Sequence, residues 1–263
     1  ASRLIEDKAT YFAKIREIKR LKNLDVAKIK NAIKLIFHSQ KIERTHVNAD
    51  CKIEEYSPID RYAEQDLWGN LAIFIAHVQA DGCHPRNTNT FNYVNQNLDL
   101  LSEYSAIVER LFGLKTWKCS IKKGNVYSTG FSNKKVAKLL QGVNFYSEYW
   151  ELPYFVQIGN KNTKASYLRA FFDDEGSVIF CKHNNCFDRA ISMMLINRSG
   201  ILQLIELLKS FEIGCNFHGP YKGKYYELKI TGKENLIKFY ENIGFAARCK
   251  QEKLLRAIKS YLN

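Results

Sequence analysis

The chain has 263 residues, long enough to bury a full core in one or two domains. Its 46% hydrophobic and 25% charged residues are ordinary for a globular protein, and its longest apolar runs, about eight residues as at 71–78, are too short to span a bilayer. The net charge of +13 is not ordinary and favours a polyanionic partner, because basic surfaces attract phosphate and release its counterions.

Seven cysteines, odd in number and scattered, do not make a secreted disulfide framework. No signal-peptide pattern opens the chain. A reducing intracellular compartment is expected, in cytoplasm, nucleoid or an organelle, with no membrane partner.

Residues 1–66 read as a helical N-terminal extension. Ile5, Ala9, Phe12, Ile15 and Ile18 recur at helical intervals, and after a cap at Asp25 so do Val26, Ile29, Ile33 and Ile36. Two short helices around a tight turn have the outline of a helix-turn-helix without its signature. Residues 43–66 lack a clear period.

From there the pattern repeats. Residues 68–82 read as a helix, 91–97 as a strand and 98–114 as an amphipathic helix. Residues 115–122 and 126–131 read as a hairpin, and 133–145 as a closing helix. Residues 146–163 connect. The second pass has strands at 177–182 and 189–196, a helix at 199–211, a hairpin at 215–221 and 224–230, a closing helix at 234–243 and a last helix at 250–262. Phe145 against Phe245, and Thr129-Gly130 against Thr231-Gly232, recur as landmarks. The expected fold class is α/β (α+β), two pseudo-symmetric αββαββα repeats at 67–145 and 164–263. These carry 10 Lys+Arg against 6 Asp+Glu in 67–163 and 16 against 10 in 164–263, so the basic charge is shared.

The repeat is organised around two stretches, 168–176 (Leu-Arg-Ala-Phe-Phe-Asp-Asp-Glu-Gly) and, 94 residues earlier, 74–82 (Phe-Ile-Ala-His-Val-Gln-Ala-Asp-Gly). Both place a small residue third, an acid eighth and glycine ninth. Ala72, Ala76 and Ala80 share one helix face, as do Ser166 and Ala170, so two such helices can approach closely. Their C-terminal ends would then lie side by side, each with a carboxylate beside a negative helix terminus. A divalent cation relieves that repulsion, and carboxylate oxygens suit magnesium.

At these residues the chain resembles the LAGLIDADG family of homing endonucleases, in the single-chain form with two motifs. The match is closest at 168–176 and looser at 74–82, where Gln79 replaces the sixth-position Asp. The resemblance implies a monomer that saddles a long, nearly asymmetric double-stranded DNA target and cuts both strands, leaving 3′ overhangs. It implies Asp81 and Glu175 as ligands of Mg2+, or of another divalent cation such as Mn2+, with Lys250 beside them in catalysis. Asp173 and Asp174 are expected on the helix surface or in support. The polar strand faces are expected to contact DNA: Lys118, Ser120 and Lys122 on one strand, Lys229 on another, with Asn92, Gln96, Lys182, Arg189, Lys222 and Lys224 within reach of base edges. An RNA-binding maturase acting on intron RNA, or a non-catalytic DNA-binding regulator, are the alternatives on the same scaffold. An intein is not expected of the intact chain, given its first and last residues. Cys181 and Cys186 flank Asn-Asn, which suits a hairpin turn better than zinc.

Overall fold

The computed structural model describes residues 67–121, 126–145, 148–183 and 186–261. The expected extension at 1–66, with its helix-turn-helix outline, and Lys122 lie outside the described residues. Both repeats fall within one unit, Glu54–Asn263.

The first repeat runs α1 (Leu67–Gln79), β1 (Gly82–Cys83), β2 (Thr90–Asn95), α2 (Leu98–Phe112), β3 (Trp117–Ile121), β4 (Val126–Ser132) and α3 (Lys134–Leu139). A short α4 (Tyr154–Gln157) follows. The second runs α5 (Lys161–Glu175), β5 (Gly176–His183), β6 (Cys186–Leu195), α6 (Arg198–Lys209), β7 (Asn216–Tyr221), β8 (Tyr225–Thr231), α7 (Lys233–Asn242) and α8 (Arg248–Lys259). Each repeat builds a four-stranded antiparallel sheet, in the orders β1-β2-β4-β3 and β5-β6-β8-β7. The two orders correspond strand for strand. Among the described residues no helix is long and apolar enough to cross a membrane.

The elements follow from their side chains. In α2, Leu100, Leu101, Tyr104, Ile107, Val108 and Leu111 form one buried stripe, and Ile201, Leu204, Leu207 and Leu208 do the same in α6. Asn97 and Asn197 cap these helices, accepting from the Asp99 and Gly200 amides at 2.9 Å each. Helix α1 differs in being buried all round, because it packs against α5 on one side and its own sheet on the other. Ala72, Ala76, Ser166 and Ala170 are fully buried. With no larger side chains there, the α1 and α5 backbones meet closely.

Both motif glycines are required by space. A Cβ on Gly82 would sit 2.4 Å from Val78 Cα, and one on Gly176 2.6 Å from Phe172 O. Gly176 is itself extended (φ −85°, ψ 152°), so the helix passes straight into β5 without a left-handed turn. The ninth-position glycine thus carries the chain directly from helix to strand.

Three differences from the sequence reading are physical. The closing helix expected at 133–145 stops at Leu139, and the chain reaches the buried Phe145 as a loop. The Thr-Gly landmark is not a structural equivalence: Thr129 and Gly130 lie inside β4, whereas Thr231 ends β8 and Gly232 caps α7. The position matching Gly232 is Asn133, which caps α3. Finally, the register of β3 differs from the expected alternation: Trp117 lies opposite Gly130, which pairs with Asn92 on the open face, and positions 118 and 120 lie opposite Thr129 and Tyr127.

Packing at the α1–α5 seam gives a direct test. The Ser166 hydroxyl is buried without a hydrogen-bond partner among the described residues. Ser166→Ala is expected to raise stability by about 1 kcal/mol, since an unmet polar group is removed. Ala170→Leu, which must force the helices apart, is expected to lower it by about 2 kcal/mol or more. Denaturant melts of the two variants check the pair.

Candidate functional site

Helix α5 ends at Glu175, and Asp81 follows two residues after α1. The seam brings these carboxylates into electrostatic contact. Partial burial pushes the Glu175 carboxyl up to about 7, with Asp81 and Asp174 adding repulsion and Lys250 opposing it. Desolvation and Asp174 likewise raise Asp81 to about 6, against the pull of His77, Lys250 and an Asn95 hydrogen bond. Two carboxylates that resist ionising together describe a place short of positive charge.

Asp174, between them in sequence, is fully committed. Its side chain is wholly buried. One oxygen takes the Tyr93 hydroxyl proton at 2.6 Å and the other lies 2.8 Å from His77 Nδ1. His77 comes from the fourth position of the first motif. Burial alone would depress its pKa, but Asp174 and Glu103 outweigh burial and hold it at about 10. Glu103 is 3.5 Å from His77 Nε2 and bonds the buried Arg169 at 2.6 and 3.1 Å. Its burial cost is overcome by those cations, so it stays ionised down to about 2. Arg169 also reaches Asp173 at 3.4 Å. A polar network therefore crosses the seam from one repeat to the other.

Asp173 is no surface residue. It is buried and accepts the Ala246 and Ala247 amides at 2.9 and 3.0 Å, capping α8, whose own N-cap residue Ala247 offers no side-chain bond. Burial pushes it up to about 6 despite Arg169 and those amides. The equivalent Gln79 does the mirror task as a donor, bonding the Asn144 and Glu151 carbonyls at 2.8 and 3.1 Å. Its oxygen accepts the Tyr167 hydroxyl at 2.6 Å.

The other predicted site residues divide. Lys250, in the first turn of α8, bonds the carbonyls of Phe172, Asp173 and Gly176. Those three acceptors match its three protons, so it braces the negative end of α5 beside the carboxylates. Arg189 is the clearest correction among the expected DNA contacts. Its guanidinium holds Ser260 Oγ at 2.7 Å and Ser260 O at 2.9 Å and lies 4.2 Å over the Tyr261 ring, so it caps the C-terminus of α8. Asn92 lies on the open face of the first sheet, and Lys229 registers with Ser192 and Asn216 on that of the second. Gln96 is exposed at the end of β2. Lys222 and Lys224 are exposed at the β7–β8 turn, and Lys182 is exposed on β5. Cys181 and Cys186 lie on β5 and β6 of one hairpin and form no disulfide among the described residues, where no group of three or more His, Cys, Asp or Glu is gathered either.

Sequence reading missed His77, Tyr93, Asn95, Glu103 and Arg169. The available signal was the polar residues His77 and Arg169 among the buried positions of their helices; Asp174 lies 97 residues from His77, and Glu103 lies 66 from Arg169.

Two antiparallel sheets, each led by a buried motif helix ending in an acid, define a LAGLIDADG-like architecture. Residues 162–244 match the family model of the LAGLIDADG-like domain, so the resemblance carried by the motifs holds. Full-length DUF199/WhiA from Thermatoga maritima has the same fold, with a TM-score of 0.52 and 14% identity over 74% of this chain and 61% of that one. The homing endonuclease I-DmoI in complex with DNA and Mn aligns with a TM-score of 0.48 and 14% identity, over 68% and 97%. In sequence the chain is 28% identical to a probable translation initiation factor IF-2 of Methanocaldococcus jannaschii, covering 92% of this chain but 22% of that protein. It is 25% identical to a replication factor C small subunit of Thermococcus kodakarensis, covering 79% and 24%. The chain thus spans about a quarter or less of these relatives.

The titrations predict the shape of stability against pH. Asp81, Asp173 and Glu175 bind protons more tightly folded than unfolded, so ionising them between about pH 4 and 7 costs stability. His77 contributes fully below its ordinary 6.5 and its contribution is lost as pH rises through about 10. Glu103 contributes above its ordinary 4.5 and loses that as pH falls through about 2. Thermal melts in chelator are expected to show higher stability at pH 5 than at pH 8, with a further fall above pH 9. His77→Phe, which strands the Asp174 charge, is expected to cost about 3–5 kcal/mol and to abolish the alkaline step.

Proposed function

We propose that this chain is a site-specific double-strand DNA endonuclease dependent on a divalent metal. The observation that carries this reading is the convergence of Asp81 and Glu175 at the ends of two close-packed helices, where burial and Asp174 raise the cost of ionising both and Asp81 adds to that of Glu175. Such a pair fits Mg2+ or Mn2+, which magnesium-dependent phosphoryl sites hold with one or two carboxylates and complete with phosphate oxygens and water. When bound, the metal supplies an activated water and neutralises the leaving oxygen.

The chain's own residues do the rest. Asp81 and Glu175 supply the anionic ligands. Lys250 holds the α5 terminus and lowers the ionisation cost of both. The open sheet faces, with Asn92 and Lys229, and the exposed Gln96, Lys182, Lys222 and Lys224 present groups suited to phosphates and base edges. One strand set per repeat suits a long target with unlike halves, bound by a monomer inside the cell and cut to 3′ overhangs.

The relatives add a separate support. A probable translation initiation factor and a replication factor C small subunit are named for different processes, yet each carries a stretch like this chain over about a quarter or less of its length. A portable segment with its own activity explains that distribution better than either host's function does.

Cleavage of target selected from a randomised DNA library in Mg2+ tests the proposal. Asp81→Asn and Glu175→Gln are each expected to cut at least 100-fold more slowly while binding DNA in calcium nearly as well, because removing one carboxylate removes a ligand and not a DNA contact. Full cutting by either variant would defeat the proposal. Tight binding by the native chain with no cutting under any divalent ion would mark a DNA-binding regulator, and preference for intron RNA a maturase. Separately, with 40 Lys+Arg against 27 Asp+Glu, DNA affinity is expected to fall by about 10³-fold or more between 50 and 200 mM salt, measured by fluorescence anisotropy.

A further inference from the structure

The two halves of the acidic pair are held differently. Asn95, the last residue of β2, accepts the Asn97 backbone N–H on Oδ1 at 2.8 Å. That bond fixes which end of the amide is which, so Nδ2 faces the carboxylates. It lies 2.9 Å from Asp81 Oδ2, 3.1 Å from the Tyr93 hydroxyl oxygen and 3.3 Å from Asp174 Oδ1. The Tyr93 proton is already donated to Asp174, so toward Asn95 the Tyr93 oxygen is an acceptor. Two amide hydrogens are thus shared among three acceptors, one of them the immobile Asp174 carboxylate paired with His77. The other Asp81 oxygen, Oδ1, has no hydrogen-bond partner among the described residues.

Glu175 has no such holder. Its carboxylate makes no hydrogen bond among the described residues. The sheet register explains why. Gly82 pairs with Tyr93 and Gly176 with Met193, so the second-repeat counterparts of Tyr93 and Asn95 are Met193 and Leu195, both buried and apolar.

We propose that Asn95 is a positioning residue that aims the Asp81 carboxylate, and that its absence from the second repeat makes the two metal-holding halves unequal. This rests on the nuclease reading above. Outer hydrogen bonds of this kind orient a ligand and commonly change metal affinity 10- to 100-fold. A plain turn-forming role for Asn95 would change stability alone.

The test uses the full chain with its selected DNA target and installs in the first repeat what the second already has. For Asn95→Leu, Ca2+ titrated calorimetrically into the protein–DNA complex is expected to lose about tenfold or more in affinity at one class of site while the other is unchanged. With the two DNA strands labelled separately in Mg2+, one strand is expected to slow at least tenfold more than the other. The strand that slows should be the one most affected by Asp81→Asn and not the one most affected by Glu175→Gln. Tyr93→Phe is isosteric and draws the amide toward Asp174, which has lost a donor; it is expected to shift the strand ratio the same way by a smaller factor, and it decides the matter should Asn95→Leu not fold. Unchanged Ca2+ affinity and an unchanged strand ratio in folded variants would overturn the positioning role and leave the nuclease reading standing. A native chain that neither cuts nor takes up Ca2+ on DNA would overturn both.

Discussion

Two helix backbones approach most closely where neither carries more than a methyl or hydroxymethyl group, and the molecule depends on one such contact. Ala72, Ala76, Ser166 and Ala170 let α1 and α5 close together, and everything near the acids follows from that closeness. It forces two negative helix ends and their carboxylates into one place. It also buries the residues on either side of the seam, where polar groups are costly unless partnered, and several find their partner in the other repeat. Arg169 with Glu103, His77 with Asp174, and Tyr167 with Gln79 all cross it.

The energetics of those crossings are two-sided. A buried ion pair is seldom worth more than a well-packed apolar replacement, but breaking one is expensive. The network therefore contributes less to total stability than to fixing one arrangement of the two repeats. That arrangement matters at the acids, where a metal site tolerates little misplacement of its ligands.

Much of this was legible in the chain. The small-residue spacing announced the helix pair, and the repeated acid before glycine announced the paired carboxylates. Alternation on β8 placed Leu228 and Ile230 inward and Glu227 and Lys229 outward, as observed. The failures have a common cause, since each depends on a partner distant in sequence. The faces of β3 are set by pairing with β4, and Trp117 is tolerated on the open side because Gly130 leaves room beneath it. Arg189 looks like any basic strand residue until α8 presents Ser260 to it. Asp173 looks exposed at a helix end until the loop before α8 lays two amides on it. Glycine after the acid reads as a helix stop, whereas contact with the preceding turn is what excludes a side chain.

The substitutions that distinguish the repeats form a matched set. Where the second motif has Asp174 the first has Ala80, and where the first has His77 the second has Phe171. Tyr93 answers Asp174 from the first sheet, while Met193 holds the equivalent place in the second. A homodimer of second repeats would thus set each buried aspartate against phenylalanine and methionine. A homodimer of first repeats would leave each histidine facing alanine. Neither half can substitute for its neighbour, so exchange of repeats between two copies of the chain is acceptable only when first meets second. The two sheets share one strand order, but the residues that meet across the seam are complementary and not alike, so the pairing is heterotypic.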